Sequence, residues 1–318
     1  MSTRAGAPLV LVAGRSGQVA RALVEAAPDD LRLVALGRPE LDLSEPGSIA
    51  SAVERLSPAA IVNAAAYTAV DRAEAEEDAA TAINGRGPGL LARAAREANG
   101  GAGVPIVHLS TDYVFDGSLD RPYREDDPVA PLGAYGRSKL AGERAVAAAT
   151  PDHCILRTAW VHAPYGTNFV RTMLRLAETR DELRVVGDQR GSPSYAPDLA
   201  EAILAALRHM LARPGRTDGE DGRGTFHLAG AGETSWAGLA EAVFEVSARH
   251  GGPSARVAPI STADYPTPAA RPANSRLDVT RFRRIFGVAP PPWRDGVERC
   301  VRALSGAAEA LGGRADAP

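Results

Sequence analysis

The sequence predicts an α/β protein: a doubly wound parallel sheet with a smaller α/β lobe in its carboxyl-terminal half. Three observations lead there. The chain opens on an apolar run, a glycine turn and an apolar-periodic helix, from Leu9 to about Ala27. Short apolar runs then alternate with amphipathic stretches as far as Thr158, the pattern of strands joined by crossover helices. Past Trp160 the alternation loosens. Residues 1–160 are therefore read as mainly the sheet domain and 161–318 as mainly the lobe, with some later segments free to return to the sheet.

In order along the chain, Leu9–Ala13 is an unbroken apolar run, as a parallel strand buried on both faces requires. Gly14-Arg-Ser-Gly17-Gln18-Val19-Ala20 follows and opens the first helix. Glycines let a backbone approach a pyrophosphate, whose charge a helix N-terminus favours. Strand, glycine turn and helix together read as a Rossmann-type dinucleotide-binding opening. Leu31–Leu36 is the second strand, ending on Gly37-Arg38 with no acid at its tip. An arginine there can grip a 2′-phosphate, so NADPH is favoured and NADH is accepted less well; the alternative is an ordinary exposed arginine. Asp42-Leu43 lies just beyond, and Pro46–Leu56 is a helix with proline in its first turn.

Ala60–Asn63 is the third strand, running into Ala64-Ala-Ala66-Tyr67-Thr68, a smooth wall for a flat cofactor. Asp71–Asp78 reads as an acidic helix with a solvated face. A helix from Gly87 to Ala98 ends in a glycine-rich turn, and Pro105–Leu109 is the fourth strand. Ser110-Thr111-Asp112-Tyr113 stands at its carboxyl end, where open parallel sheets place ligands. The polar stretch Phe115–Gly133 reads as a loop able to cover a site, and His153–Thr158 as a further strand. In the second half, helices are expected near 168–179, 197–211 and 236–249, and short strands near 183–186, 226–229 and 256–260. The charged, glycine-rich stretch Arg213–Gly224 reads as a mobile surface insert.

Ahead of that fifth strand comes Ala134–Arg144, where Tyr135 and Lys139 are four apart and share one helix face. A free tyrosine titrates near pH ~10 and transfers protons poorly at neutrality; an adjacent ammonium lowers that value. Such a pair suits reduction of a carbonyl, whose oxygen must receive a proton as its carbon receives hydride. Taken alone, the pattern fits equally a half-buried tyrosine beside a solvated lysine.

Composition bounds the rest. At 318 residues, 45% apolar and 24% charged, the chain can bury a large core. A net charge of −3 gives no basic footprint for nucleic acid. No apolar run reaches membrane-spanning length. Cys154 and Cys300 sit far apart in apolar contexts and read as two buried thiols. Met1–Ala7 does not read as a signal peptide. A cytoplasmic protein is expected.

These residues carry a resemblance. Gly14-Arg-Ser-Gly-Gln-Val, Val62–Asp71, His108–Gly117, Tyr135-Gly-Arg-Ser-Lys139, Leu156–Val161, Asn168-Phe-Val, Asp188–Pro193 and Arg271–Asp278 follow one another in an order that spans roughly Leu9 to Leu304. The chain resembles the dTDP-4-dehydrorhamnose reductase family of extended short-chain dehydrogenases/reductases.

The resemblance implies Tyr135 as proton donor, Lys139 as its activator on the nicotinamide ribose, and Thr111 as the hydroxyl beside the substrate carbonyl. It also implies Gly14, Gly17, Gln18 and Val19 at the cofactor pyrophosphate, and Asp42 and Leu43 at the adenine. Ala66, Tyr67 and Thr68 would line the cleft, Asp112 and Trp160 would touch the sugar, and Asn168 and Arg271 would hold the nucleotide diphosphate. The alternatives are a core role for Trp160, a loop cap for Asp112 and a surface ion pair for Arg271.

The implied activity is NADPH-dependent reduction of the C4 ketone of a dTDP-activated deoxyhexose, giving dTDP-L-rhamnose. A related 4-ketoreductase of dihydrostreptose or antibiotic-sugar synthesis is the alternative. Another class is a non-catalytic regulatory subunit like that of methionine adenosyltransferase. A homodimer is compatible with the resemblance, and no metal site is expected. His162, Ser194 and Gly85 depart from the family pattern, and His162, close to Trp160, is a candidate sugar contact.

Overall fold

The computed structural model describes residues 6–214, 222–288 and 290–312, with side chains as far as Gly306. Its centre is a six-stranded parallel sheet. β1 (Leu9–Ala13) lies between β2 (Arg32–Leu36) and β3 (Ala60–Asn63), and β4 (Ile106–Thr111) and β5 (His153–Thr158) extend the sheet beyond β3. Every residue of β1 and β3 is buried, which is why both sequences are unbroken apolar runs ending on small or amide side chains. The chain leaves β1 toward β2 on one side and returns to β3 on the other. The carboxyl ends of β1 and β3 therefore flank a topological switch point, the place where such sheets bind ligands.

Helices cover both faces. α1 (Gln18–Glu25) packs with α8 (Ala196–Leu211) over one face, where Leu23, Ile203, Leu207 and Met210 close the core. α2 (Pro46–Leu56), α5 (Gly87–Gly101) and α6 (Ala134–Ala149) cover the other, with Ile49, Leu91 and Val146 buried against β3 and β4. Regular geometry in α5 stops before Ala98, where Asn99 and Gly100 turn to positive φ. The last sheet strand, β10 (Gly224–His227), comes from the second half of the chain and pairs with β5.

The remaining elements form the lobe. β7 (Glu182–Val186) pairs in parallel with β12 (Arg256–Ile260), and α7 (Phe169–Ala177), α9 (Trp236–Arg249) and α11 (Trp293–Gly312) pack around them through Val170, Met173, Val243 and Val297. Short pairs, β6 (Val161–His162) with β9 (Ser194–Tyr195) and β8 (Arg190–Gly191) with β11 (Thr234–Ser235), join the lobe to the sheet. α10 (Thr280–Phe286) sets Phe282 against Phe226 of β10.

Three sequence expectations change here. The acidic stretch from Asp71 to Asp78 is two short helices, α3 (Val70–Ala73) and α4 (Glu77–Thr81), followed by a π turn over Ala82–Arg86. Its outer side is solvated, with Glu74, Glu77 and Asp78 exposed, while several of its carboxylates also reach other elements, Asp71 to Arg271, Glu74 to the Ala134 N–H, Glu76 to the Tyr67 hydroxyl and Glu77 to Arg137. The stretch from Phe115 to Gly133 is pinned, because Phe115 and Tyr123 stack 4.1 Å apart in a small buried cluster and Tyr123 bridges to Leu277. Most of the insert read over Arg213–Gly224 lies outside the described residues. Its end is ordered, with buried Arg223 donating to Asp152 at 2.9 Å before β10 begins.

Candidate active site

The site grows from the switch point. Gly14 has φ 109°, and its N–H donates to the Leu36 carbonyl at 2.7 Å. A Cβ there would stand 3.1 Å from the Ala65 nitrogen, so only glycine lets the β1 turn nest against the strip that leaves β3. α1 starts on Gly17 with no capping side chain and no acid in its first turn, so nothing negative competes for its positive end. Val19 and the following Ala20 are buried and seat that helix on the sheet.

At the tip of β2, Arg38 is exposed, and its carbonyl accepts from Arg15 Nη2 at 3.1 Å. Arg15, from the glycine turn, also pairs with Glu40 at 3.3 Å. The fold thus brings the Arg15 guanidinium to the backbone of Arg38, a second cation at this tip that the sequence reading missed. The Asp42 carboxylate accepts from the Ser44 N–H and hydroxyl, at 2.9 and 2.7 Å, so neither Glu40 nor Asp42 stands open. Leu43 is buried.

The wall from Ala64 to Thr68 is irregular backbone that still needs its hydrogen bonds made. The Ala64 and Ala65 N–H groups donate to Ala13 and Asn63, and buried Asn84, in the π turn, serves Tyr67. Asn84 accepts from the Tyr67 N–H at 2.8 Å, and it donates to the Tyr67 carbonyl at 2.9 Å and to Ser138 of α6 at 3.1 Å. One amide clamps the wall to the helix of Tyr135 and Lys139. Its only sequence signal is a polar residue beside Gly85 in an apolar-periodic stretch.

At the carboxyl end of β4, Thr111, Asp112, Tyr135 and Lys139 come together. The Thr111 hydroxyl donates to Asp112 Oδ1 at 3.0 Å and accepts from the Tyr113 N–H at 3.2 Å. Burial pushes the Tyr135 phenol up to about 12; Thr111 draws it down and the Asp112 charge pushes it up further. This departs from the expectation that Lys139 lowers it. The Lys139 ammonium donates to the Leu109 carbonyl at 2.6 Å, and burial holds it down at about 8, with Glu143 opposing. Burial is the largest cause of both shifts. Asp112 is 2% exposed, and burial raises its carboxyl to about 6 against the pull of Ser275 and Thr111. Asp112 Oδ2 has no hydrogen-bond partner among the described residues.

Trp160 closes one side. Its φ of 48° is rare for a bulky residue. Its indole donates to Ser275 at 3.2 Å and lies face to face with Trp236, ring centroids 3.5 Å apart. Trp236, Phe169, Gln189, Tyr265 and Arg271 line a cavity of 710 Å³ between α7 and β7. A larger groove of 770 Å³, on another side of α7, holds none of the catalytic candidates.

Two residues singled out in the sequence have protein partners of their own. Asn168 caps α7 by accepting from the Arg171 N–H at 3.1 Å, and its amide donates to Gln18 Oε1 and the Ala163 carbonyl, both at 2.8 Å. Those bonds make Asn168 a bracket on Gln18 in this structure. His162 is 2% exposed, packed beside Tyr195, and held neutral by burial, which lowers it to about 4; it is no sugar contact. Arg271 forms the ion pair given as its alternative, with Asp71, and still lines the cavity.

The profile of the RmlD substrate binding domain matches residues 9–305. A dTDP-4-dehydrorhamnose reductase of Sinorhizobium fredii is 50% identical over 293 residues, 92% of this chain and 96% of that one. One from Escherichia coli strain K12 is 41% identical over 301 residues, 93% and 97% of the two chains. The crystal structure of a dTDP-4-dehydrorhamnose reductase from Bacillus anthracis in complex with NADP superposes with a TM-score of 0.84 at 33% identity, covering 93% of this chain and 99% of that one. With the glycine turn at the switch point and Thr111, Tyr135 and Lys139 gathered at the end of β4, these likenesses mean that the chain belongs to the dTDP-4-dehydrorhamnose reductase family.

Proposed function

We propose that the protein reduces the C4 ketone of a dTDP-4-dehydro-6-deoxy-L-hexose with NADPH, giving dTDP-L-rhamnose. The convergence of Thr111, Tyr135 and Lys139 beside the β1–β3 crevice carries this reading. The residues suit the cofactor: the Gly14 turn leads into the uncapped start of α1, where a pyrophosphate would be favoured, and Arg15 and Arg38 would meet an adenosine 2′-phosphate. When bound, the nicotinamide supplies hydride to the carbonyl carbon.

The protein supplies the proton and the geometry. With a phenol near 12, Tyr135 keeps its proton at neutral pH and releases it to the substrate oxygen only as negative charge builds there. The Thr111 hydroxyl holds that oxygen in register with the phenol. The Lys139 ammonium stabilises the phenolate as it forms and holds the ribose that bears the nicotinamide. Asp112 and Trp160 frame the sugar. Arg271 meets the diphosphate, and the 710 Å³ cavity behind it takes the nucleoside. The trio and the cofactor cradle both favour catalysis over a purely regulatory role.

The test is NADPH oxidation with dTDP-4-dehydro-6-deoxy-L-lyxo-hexose, with the product identified by NMR. Formation of dTDP-L-rhamnose supports the reading. Oxidation only with another 4-keto sugar nucleotide moves the assignment to a related ketoreductase, and no oxidation with any of them removes the enzymatic reading.

A further inference from the structure

Asp71 has no part in the reaction as described, yet its carboxylate is the most engaged acid near the crevice. Arg271, 200 positions later in the chain, approaches it end-on: Nη1 donates to Oδ1 at 3.0 Å and Nη2 to Oδ2 at 2.9 Å. The Ala269 N–H adds a third bond to Oδ1 at 3.2 Å. Nη1 also donates to Thr267 Oγ1 and to the Ala269 carbonyl, at 2.5 and 3.0 Å.

A guanidinium has two forked edges, and carboxylate or phosphate fits either one. Here the Nη1/Nη2 edge is committed to Asp71. The Nε proton and the outer Nη2 proton have no protein acceptor among the described residues, and Arg271 lines the 710 Å³ cavity. Tyr113 lies near enough to act on its charge, and the Tyr113 ring meets Tyr135 edge-on with centroids 5.6 Å apart. Arg271 thus stands between the phenol that would face the sugar and the cavity that would hold the nucleoside. A diphosphate joins those two parts of a nucleotide sugar.

We infer that Asp71 is a positioning residue, fixing the guanidinium plane so that the free Nε/Nη2 edge of Arg271 meets the diphosphate of the nucleotide sugar. This rests on the reading of Arg271 as a diphosphate ligand. Neutralising a cation that must bind an anion costs attraction. What Asp71 supplies is order, because a long side chain already held in its binding rotamer loses less freedom when the ligand arrives. Its place supports this. α3 follows directly on the Ala64–Thr68 wall, so one carboxylate registers the lobe segment 267–271 against the cofactor side of the crevice.

The experiment uses the full chain and dTDP as probe, with titration calorimetry for dTDP and NADPH and steady-state kinetics for the sugar nucleotide. Asp71→Asn keeps size but can match only one of the two guanidinium donors. Its Kd for dTDP and its KM for the sugar nucleotide should rise about tenfold, and the Kd for NADPH should move less than about twofold. In an Arg271→Met background, Asp71→Asn should add nothing further, because its effect passes through the guanidinium. Unchanged dTDP affinity in Asp71→Asn, or an undiminished effect in the Arg271→Met background, overturns the inference. Unchanged dTDP affinity in Arg271→Met alone overturns instead the reading of Arg271. Should Asp71→Asn fail to fold, Arg271→Lys keeps the charge but loses the fork, and wild-type dTDP affinity in that variant also overturns the inference.

Discussion

Tyr135 and Lys139 share a helix face, but burial sets their proton affinities more strongly than they set each other's. The phenol rises to about 12 and the ammonium falls to about 8. Lys139 therefore loses its charge as pH climbs through about 8, and the reduction rate of the wild-type protein should fall over that range. Lys139→Met should lower turnover, raise the KM for NADPH and abolish this alkaline limb; a pH–rate profile like the wild type's would make Lys139 a bystander. Tyr135→Phe should cost about 10²–10⁴ in turnover while leaving NADPH binding intact, general acid catalysis being worth that much. Asp112 is a carboxyl that the fold would rather keep protonated. Its folded-state value near 6 lies above the ordinary value of 3.8, so the folded state binds more protons in between, and stability drops as pH rises from about 4 to about 6. The loss at neutral pH is about 3 kcal/mol on this account. Asp112→Asn should then melt higher than wild type at pH 7.5 by calorimetry, no higher at pH 4, and bind the sugar nucleotide more weakly. An equal gain at both pH values would mean that the carboxylate charge is not the cause.

The elements show why the site is rigid. α6 carries Tyr135 and Lys139, and it is tied on several sides: Glu74 caps its first turn at 2.8 Å, Arg137 forks onto Glu77 at 3.0 and 3.1 Å, and Glu143 pairs in the interior with Arg157 of β5 at 2.7 Å. Its closest approach is to the π turn, where a Cβ on Gly142 would overlap the Asn84 carbonyl. Gly142→Ala should push α6 away from the turn that clamps the cofactor wall. The expected cost is about 1–3 kcal/mol in urea unfolding, the usual range for overpacking, together with reduced turnover. Wild-type stability would show that the helix and turn can part without consequence. A helical-period reading of the sequence anticipates α6 but not these ties, because every partner comes from another element.

Across the whole molecule, the cofactor preference depends on a pairing that no single segment contains. Arg38 ends β2 and Arg15 belongs to the turn after β1, and the parallel register of the two strands brings them together. Charge-assisted hydrogen bonds contribute about 1.5–3 kcal/mol each, so losing one to a 2′-phosphate costs roughly tenfold to a hundredfold in affinity. Arg38→Ala should raise the KM for NADPH by that factor and leave the KM for NADH nearly unchanged. Arg15→Ala should act in the same direction and also free Glu40 for ribose hydroxyls, narrowing the preference further. If either substitution weakens both cofactors equally, its guanidinium does not read the phosphate.

Much of this protein was legible in its sequence because the signals are local. Apolar runs of strand length, the Gly14–Gly17 turn and the spacing of Tyr135 and Lys139 each follow from backbone geometry within a few residues. The place of Thr111 beside the phenol came from the family resemblance, while the strand order, with β10 returning beside β5, is a property of the folded chain. Tertiary structure decided what depends on burial and on distant partners. The Tyr135 and Lys139 proton affinities moved because desolvation acts on the folded site. The acids from Asp71 to Glu77 found partners because Arg271, Ala134, Tyr67 and Arg137, all from other segments, came within reach of them. Asn168 became a bracket, and His162 a core side chain, because Gln18 and Tyr195 fold against them. A side chain's identity states which bonds it can make; only the packed chain decides which partners are near enough to take them.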